Sequence, residues 1–234
     1  MRRSLIFILS ITSGSFGVLW VATAYQETRQ LLPRTSLQIM ADEARRESRE
    51  TVTIVAPVAT YAKFNGFDDI IVEATVLRAR LVAKRGFPAE NNNSNVDTAL
   101  RFEILEFVAG REIPPGSLPD ALPEDFRYVG NHEFIAVVPG GSIEIDGVYI
   151  ESTNSEFDEL SIGIEYMVIA RFEEGQFARV LYGPSGIFEV SQGQGLTPMN
   201  AANNPIAALF RDSEIRSVRD FKSKAFARSI WQPL

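Results

Sequence analysis

The chain has 234 residues, 45% of them hydrophobic and 23% charged, with 23 basic against 30 acidic side chains, one histidine and no cysteine. That apolar share can fill the core of one generous domain, which excludes a disordered tail, and a formal charge of −7 repels phosphate backbones, which excludes nucleic acid as a partner. A zinc site wants several Cys or His ligands, so a lone His132 and no thiol exclude it, and burial alone must hold the fold.

Arg2 and Arg3 precede an apolar run from Leu5 to Val21, and Ala22-Thr23-Ala24 supplies the small residues of a signal-peptidase site. Residues 1–24 are therefore expected to be a secretory signal peptide cut after Ala24, leaving a periplasmic or secreted chain of 210 residues. Loss of the two arginines takes the formal charge to −9. The rival expectation is an uncleaved N-terminal anchor, the only way this chain would meet a membrane. A span needs about 20 predominantly apolar residues, and Ser10, Thr12, Ser13, Gly14, Ser15 and Gly17 dilute this run.

Residues 25–50 read as a charged helical entry segment. Ser36 can cap a helix reaching about Ser48, whose solvated face carries Asp42, Glu43, Arg45, Arg46 and Glu47. Residues 51–195 read as a β domain. In Ile71–Val82, Val72, Ala74 and Val76 share one phase, whereas Leu77, Ala79 and Leu81 share the other; in Leu100–Val108 the same change falls between Ile104 and Leu105. A period of two cannot change phase without a bulge or sharp coil, so both strands are expected to curve strongly.

Further strands are expected at 133–138, 142–150, 161–172, 176–182 and 186–190. In the third of these, Ile162, Ile164, Tyr166, Val168, Ala170 and Phe172 would share one buried face. Glu173-Glu174-Gly175 and Gly183-Pro184-Ser185-Gly186 are reversals, and Asn91–Asn95 and the proline-rich 113–124 are surface connections. Residues 196–234 form a C-terminal helical extension, with Ile215, Val218, Phe221 and Ala225 on one side and Phe226 and Ile230 prolonging it. The fold class is mainly β: a small curved barrel with an N-terminal helix and a C-terminal amphipathic helix.

The order of these pieces resembles a group of uncharacterised bacterial exported proteins. The matching stretches are Asp69-Ile70-Ile71-Val72-Glu73-Ala74-Thr75-Val76, Phe102-Glu103-Ile104-Leu105-Glu106-Phe107-Val108-Ala109-Gly110, Gly140-Gly141, Gly163-Ile164-Glu165-Tyr166-Met167-Val168-Ile169 and Gly183-Pro184-Ser185-Gly186-Ile187-Phe188-Glu189-Val190. Ala109 stands where that group usually has Lys, and Ala74 where Gly is common. The resemblance implies an OB-like or netrin-like barrel over residues 68–190 and carries no catalytic residue with it.

Nothing in the chain spells a catalytic motif or a cofactor site. Ser185 lacks the Gly-x-Ser-x-Gly spacing of a nucleophile elbow and reads as a turn residue. Asn154, Glu156, Asp158 and Glu165 fit positions of a calcium loop, but Glu159 replaces its required glycine, leaving only a loose surface calcium candidate at Glu156, Asp158 and Glu159. His132 reads as a structural residue at a strand start. Phe126, Tyr128, His132, Tyr149 and Phe157 lie near loops and strand ends, where an open barrel presents side chains to a peptide or glycan. Phe64, Phe67 and Phe134 share that placement, with filling of the barrel as the plainer reading. The expected function is a noncatalytic exported binding module of the bacterial envelope, partnered by an envelope or extracellular protein or a glycan. The alternatives are a carboxylate-dependent hydrolase acting on a glycan or peptide, and a membrane-anchored envelope subunit should the N-terminal segment be retained.

Overall fold

The computed structural model describes residues 35–55, 66–89, 94–153, 159–199 and 204–230. The expected signal peptide, Asn91–Asn93, Phe64, Glu156, Phe157 and Asp158 lie outside them. In chain order the elements are α1 (Ser36–Arg46), β1 (Thr51–Val55), α2 (Phe67–Glu73), β2 (Thr75–Pro88), β3 (Val96–Gly110), β4 (Glu133–Pro139) and β5 (Gly141–Ile145). β6 (Val148–Thr153), β7 (Glu165–Glu174), β8 (Phe177–Val180), β9 (Ile187–Val190), β10 (Leu196–Pro198), α3 (Pro205–Asp212) and α4 (Val218–Ile230) follow. Among the described residues no helix is long and apolar enough to cross a membrane.

The larger sheet closes on itself. β7 pairs with β2, β2 with β3, β3 with β4, all antiparallel; β4 then runs parallel to β8, and β8 returns antiparallel to β7. This is a five-strand Greek-key barrel of the OB kind, with β9 and β10 extending the sheet beyond β7. Its interior holds Leu77, Ala79, Leu81, Leu100, Phe102, Phe134, Tyr166, Val168 and Ala170. Phe102 and Phe134 stack with centroids 5.1 Å apart, Tyr166 meets Phe102 edge-on at 6.3 Å, and Phe172 meets Phe134 edge-on at 5.5 Å. The Tyr166 hydroxyl accepts the Ser161 N–H at 2.9 Å, and burial pushes its pKa up.

The phase changes read from sequence coincide with breaks in register. β2 and β3 shift between Val76 and Leu77, where Val108 is the extra residue, and again between Arg78 and Ala79, where Leu105 is extra; a third shift follows Leu81. The two phases of β2 face two different cores. Leu77, Ala79 and Leu81 point into the barrel, whereas Val76 joins Val108, Met167, Ile169 and Phe188 under the helices, against Ile70, Phe210, Val218 and Phe221. A strand end covered on both faces needs apolar residues on both phases.

Local capping explains why the C-terminal segment is two helices rather than one. Asn204 accepts the Ala207 N–H at 2.8 Å with Pro205 at the first turn, starting α3. Ser217 and Asp220 form a capping pair for α4: the Asp220 N–H donates to Ser217 Oγ at 3.2 Å and the Arg216 N–H to Asp220 Oδ2 at 3.0 Å. A hydrogen bond from the Ser217 side chain to the Asp220 carboxyl, and then the Arg216 N–H bond, hold that carboxyl below its usual range. Ile215, Val218, Phe221 and Ala225 are buried as expected, but Phe226 is exposed and does not extend that stripe.

Other expectations are corrected. Residues 71–73 belong to helix α2 rather than to a strand, and the expected strand 142–150 is a hairpin of β5 and β6. Its turn, Asp146 at φ 51° and Gly147 at φ 83°, is the two-residue form that needs positive φ at both positions. Ile162 and Ile164 are exposed because they precede β7, one on each side of Gly163 in a turn where its φ is 89°. The buried face of that strand begins at Tyr166.

The second sheet has three strands, β1 parallel to β6 and β5 antiparallel to β6. Helix α1 packs Leu37, Ala41 and Ala44 against Val148 and Ile150 on one of its faces.

Candidate functional site

OB barrels commonly present the outer face of their second and third strands to ligands. Those strands are β3 and β4 here, and their outer face is already occupied. Ala99 and Ile135 lie beneath Leu122 and Phe126, with Leu118 and Val129 packed alongside. Four prolines, Pro114, Pro115, Pro119 and Pro123, stiffen the covering segment by fixing φ. Charged side chains fasten it. The Arg101 guanidinium lies 4.9 Å from the Phe126 ring centroid and donates to the Asp125 carbonyl, Arg85 pairs with the Asp125 carboxylate at 2.9 Å, and Arg127 Nε donates to the Leu122 carbonyl at 2.9 Å.

The open surface is elsewhere. Along β6 the pattern is strict: Val148, Ile150 and Ser152 are buried, while Tyr149, Glu151 and Thr153 are exposed. Because successive strand residues point to opposite faces, the side of the small sheet turned away from α1 carries the second set. Tyr149 is flanked there by Thr51 and Glu144, and Glu151 by Thr53 and Ser142. Tyr149, Glu151, Thr153 and Ser142 line one wall of a groove of about 630 Å³, within the range of small-molecule sites, roughly 300 to 1,000 Å³. The opposite wall is the barrel mouth: Lys84 to Gly86 from β2, Thr98 and Leu100 from β3, and Val138 to Gly140 at the end of β4. Glu159 and Leu160 close the end.

Two glycines allow the small sheet to sit against the barrel. A Cβ on Gly86 would lie 1.9 Å from the Ser142 carbonyl oxygen, and one on Gly141, at φ 142°, would lie 2.1 Å from Thr98 Oγ1. The Thr98 hydroxyl itself donates to the Gly140 carbonyl at 2.6 Å, fixing the corner between β4 and β5. Ser152 Oγ, on the face of β6 opposite to Tyr149 and Glu151, is buried with no hydrogen-bond partner among the described residues.

The charges of the groove are mostly committed. Lys84 Nζ donates to Glu159 Oε1 at 2.6 Å and to the Leu160 carbonyl at 3.1 Å, while Arg85 is held by Asp125. The hydrogen bond and charge of Lys84 hold the Glu159 carboxyl below its usual 4.5. A depressed carboxyl keeps its ion pair at neutral pH and loses it only as pH falls through the lowered pKa. In a carbon-13 titration of the intact chain, Glu159 should have a midpoint below 4.5 that moves upward in Lys84→Met. A wild-type midpoint at or above 4.5 would show that the pair does not form.

A second charged set decorates the barrel wall. Arg78 lies between Glu106 (3.3 Å) and Glu165 (3.5 Å), Arg80 between Glu103 and Glu165 (both 3.3 Å), and Lys222 of α4 reaches Glu106. Arg78 Nε is off the angle of a hydrogen bond to Glu106. Three cations against three carboxylates leave no net charge there.

Of the candidate site residues that lie among the described residues, Tyr149 and Glu159 line the groove. Phe126 is 2% exposed inside the proline-rich cover, so it serves packing rather than a ligand; Phe67 and Phe134 are likewise buried. Tyr128 is 82% exposed but stands outside the groove. His132 is an exposed turn residue whose carbonyl accepts the Ile104 N–H, and the Glu133 carboxylate beside it accepts the Gly130 N–H at 2.9 Å. Ser185 is buried in a 3-10 turn, its carbonyl accepting from Asn204. Among the described residues no three His, Asp or Glu side chains converge as metal ligands. Sequence reading passed over Glu151, Lys84 and Gly86; the alternation of β6 is the one local signal that marks Glu151.

No protein-family model matches the chain, and no curated protein matches it.

Proposed function

We propose that the chain is a noncatalytic binding module of the bacterial envelope, exported by its N-terminal segment, and that the groove between barrel mouth and small sheet is its binding site. The kinship with exported OB-like proteins belongs to the same proposal. The observation that supports it is the open sheet face of β6, turned into a preformed groove while the usual OB face is closed by the chain's own proline-rich segment.

The hydrolase reading draws on Glu151 and Glu159 lining one groove. A glycosidase needs one carboxyl with a raised pKa to act as the acid. Glu159 is shifted the opposite way and tied to Lys84, so it is a poor proton donor at neutral pH.

The experiment incubates the full chain with a panel of envelope glycans and peptides and follows both retention and turnover. Saturable binding without products, lost in Tyr149→Ala, is the expected result. Turnover that falls by two or more orders of magnitude in a folded Glu151→Gln variant overturns it in favour of the hydrolase. Mass measurement of the protein recovered from the envelope decides its anchoring: loss of residues 1–24 is expected, and an intact N-terminus in the membrane fraction makes it an anchored subunit.

A further inference from the structure

Resting on that binding-module reading, we propose that the groove takes a short uncharged saccharide, its ring laid against Tyr149 and its hydroxyls held by Glu151.

Size comes first. A volume of about 630 Å³ suits a small molecule and not a folded partner surface. Charge then sorts the small molecules. Lys84 and Arg85 are each paired with a carboxylate, so neither offers an unmatched positive charge to a phosphate or carboxylate ligand. Among the described residues Glu151 has no such partner, and it stands on the open face. Its negative charge repels anions. A ligand laid over it must be polar, because burying the Glu151 carboxylate under an apolar one without hydrogen bonds would be costly.

The arrangement on β6 adds shape. Tyr149 is 50% exposed and lies two residues from Glu151 on the same face, about 6.6 to 6.8 Å along a strand. An aromatic ring offers a flat apolar platform with a polar tip, and an ionised carboxylate is an acceptor with two oxygens. A pyranose ring has matching parts: a C–H face that an aromatic ring can cover and edge hydroxyls that donate in pairs to a carboxylate. The threonines Thr51 and Thr53 flank the two residues on the neighbouring strand and offer further hydroxyls to a polyhydroxyl ligand.

The test titrates the full chain with uncharged disaccharides (the N-acetylglucosamine dimer, maltose, cellobiose), with glucuronate as the anionic comparator and trialanine as the peptide comparator. At least one uncharged disaccharide should bind with a Kd on the order of 1 mM or tighter. Tyr149→Ala and Glu151→Gln should each weaken it at least tenfold, while Tyr128→Ala, which removes an exposed tyrosine outside the groove, should leave it unchanged. Equal denaturation midpoints exclude unfolding as the cause. Tyr149-dependent binding of glucuronate or trialanine alone overturns the saccharide proposal and leaves the binding module standing. No Tyr149-dependent binding of any probe removes the groove as a site and overturns both.

Discussion

Replacing Phe134 by Ala should lower the free energy of unfolding by about 3 to 5 kcal/mol. The ring is fully buried, stacks on Phe102 and takes the edge of Phe172, so its removal takes away contacts on two sides at once. Close packing elsewhere in the barrel limits how far neighbours can collapse into the space. Against a typical total of about 5 to 15 kcal/mol for a domain, that is about a fifth of the stability or more. Urea unfolding followed by circular dichroism reads it directly, and a loss under about 1 kcal/mol would mean that Phe134 is not at the centre of the barrel.

A Gly86→Val change should act on stability and binding together. Its Cβ would lie 1.9 Å from the Ser142 carbonyl oxygen and 2.8 Å from the carbonyl carbon, both backbone atoms that cannot swing aside. Strand β5 has to move off the barrel. Forcing extra atoms into a packed site costs typically 1 to 3 kcal/mol, and here the displaced strand is one wall of the groove, so binding through Tyr149 should be lost with it. Gly193→Ala is the control, since a Cβ there meets nothing within 4 Å and ordinary surface changes stay within about 0.5 kcal/mol. If Gly86→Val keeps wild-type stability and affinity, the small sheet is not seated as described.

The barrel was legible because its signals are local. Alternation in β2 and β3 broke where the register shifts, between Val76 and Leu77 and around Leu105, and bulges leave that mark in any strand with a buried face. Helix α2 was missed because Ile71 and Val72 run without a break into the apolar residues of β2, although Asp68 and Asp69 in its first turn suit a helix start. The β5–β6 turn was missed despite its Asp146-Gly147 pair, since apolar and β-branched residues on both sides looked like one strand. Ile162 and Ile164 show the opposite error: the period of two continued through a turn that ended the strand. The groove was not legible at all. It needs residues 84–86, 138–142 and 149–153 to meet, and the glycines at 86 and 141 alone hint at close approach.

Closure of the barrel also sets how the chain folds in time. The seam between β2 and β7 pairs Thr75 with Ala170, 95 positions apart, and the parallel seam joins Ile135 to Phe177. Neither can form until long stretches of chain have been drawn together, and that entropy is spent before any contact repays it. The hairpins β2–β3, β5–β6 and β7–β8 join near neighbours and can form on the microsecond scale, whereas folds dominated by distant pairings reach the native state in milliseconds to seconds. The seams are expected to close after the hairpins, and while they are open β4 and β8 each keep one free edge of the kind other chains can join.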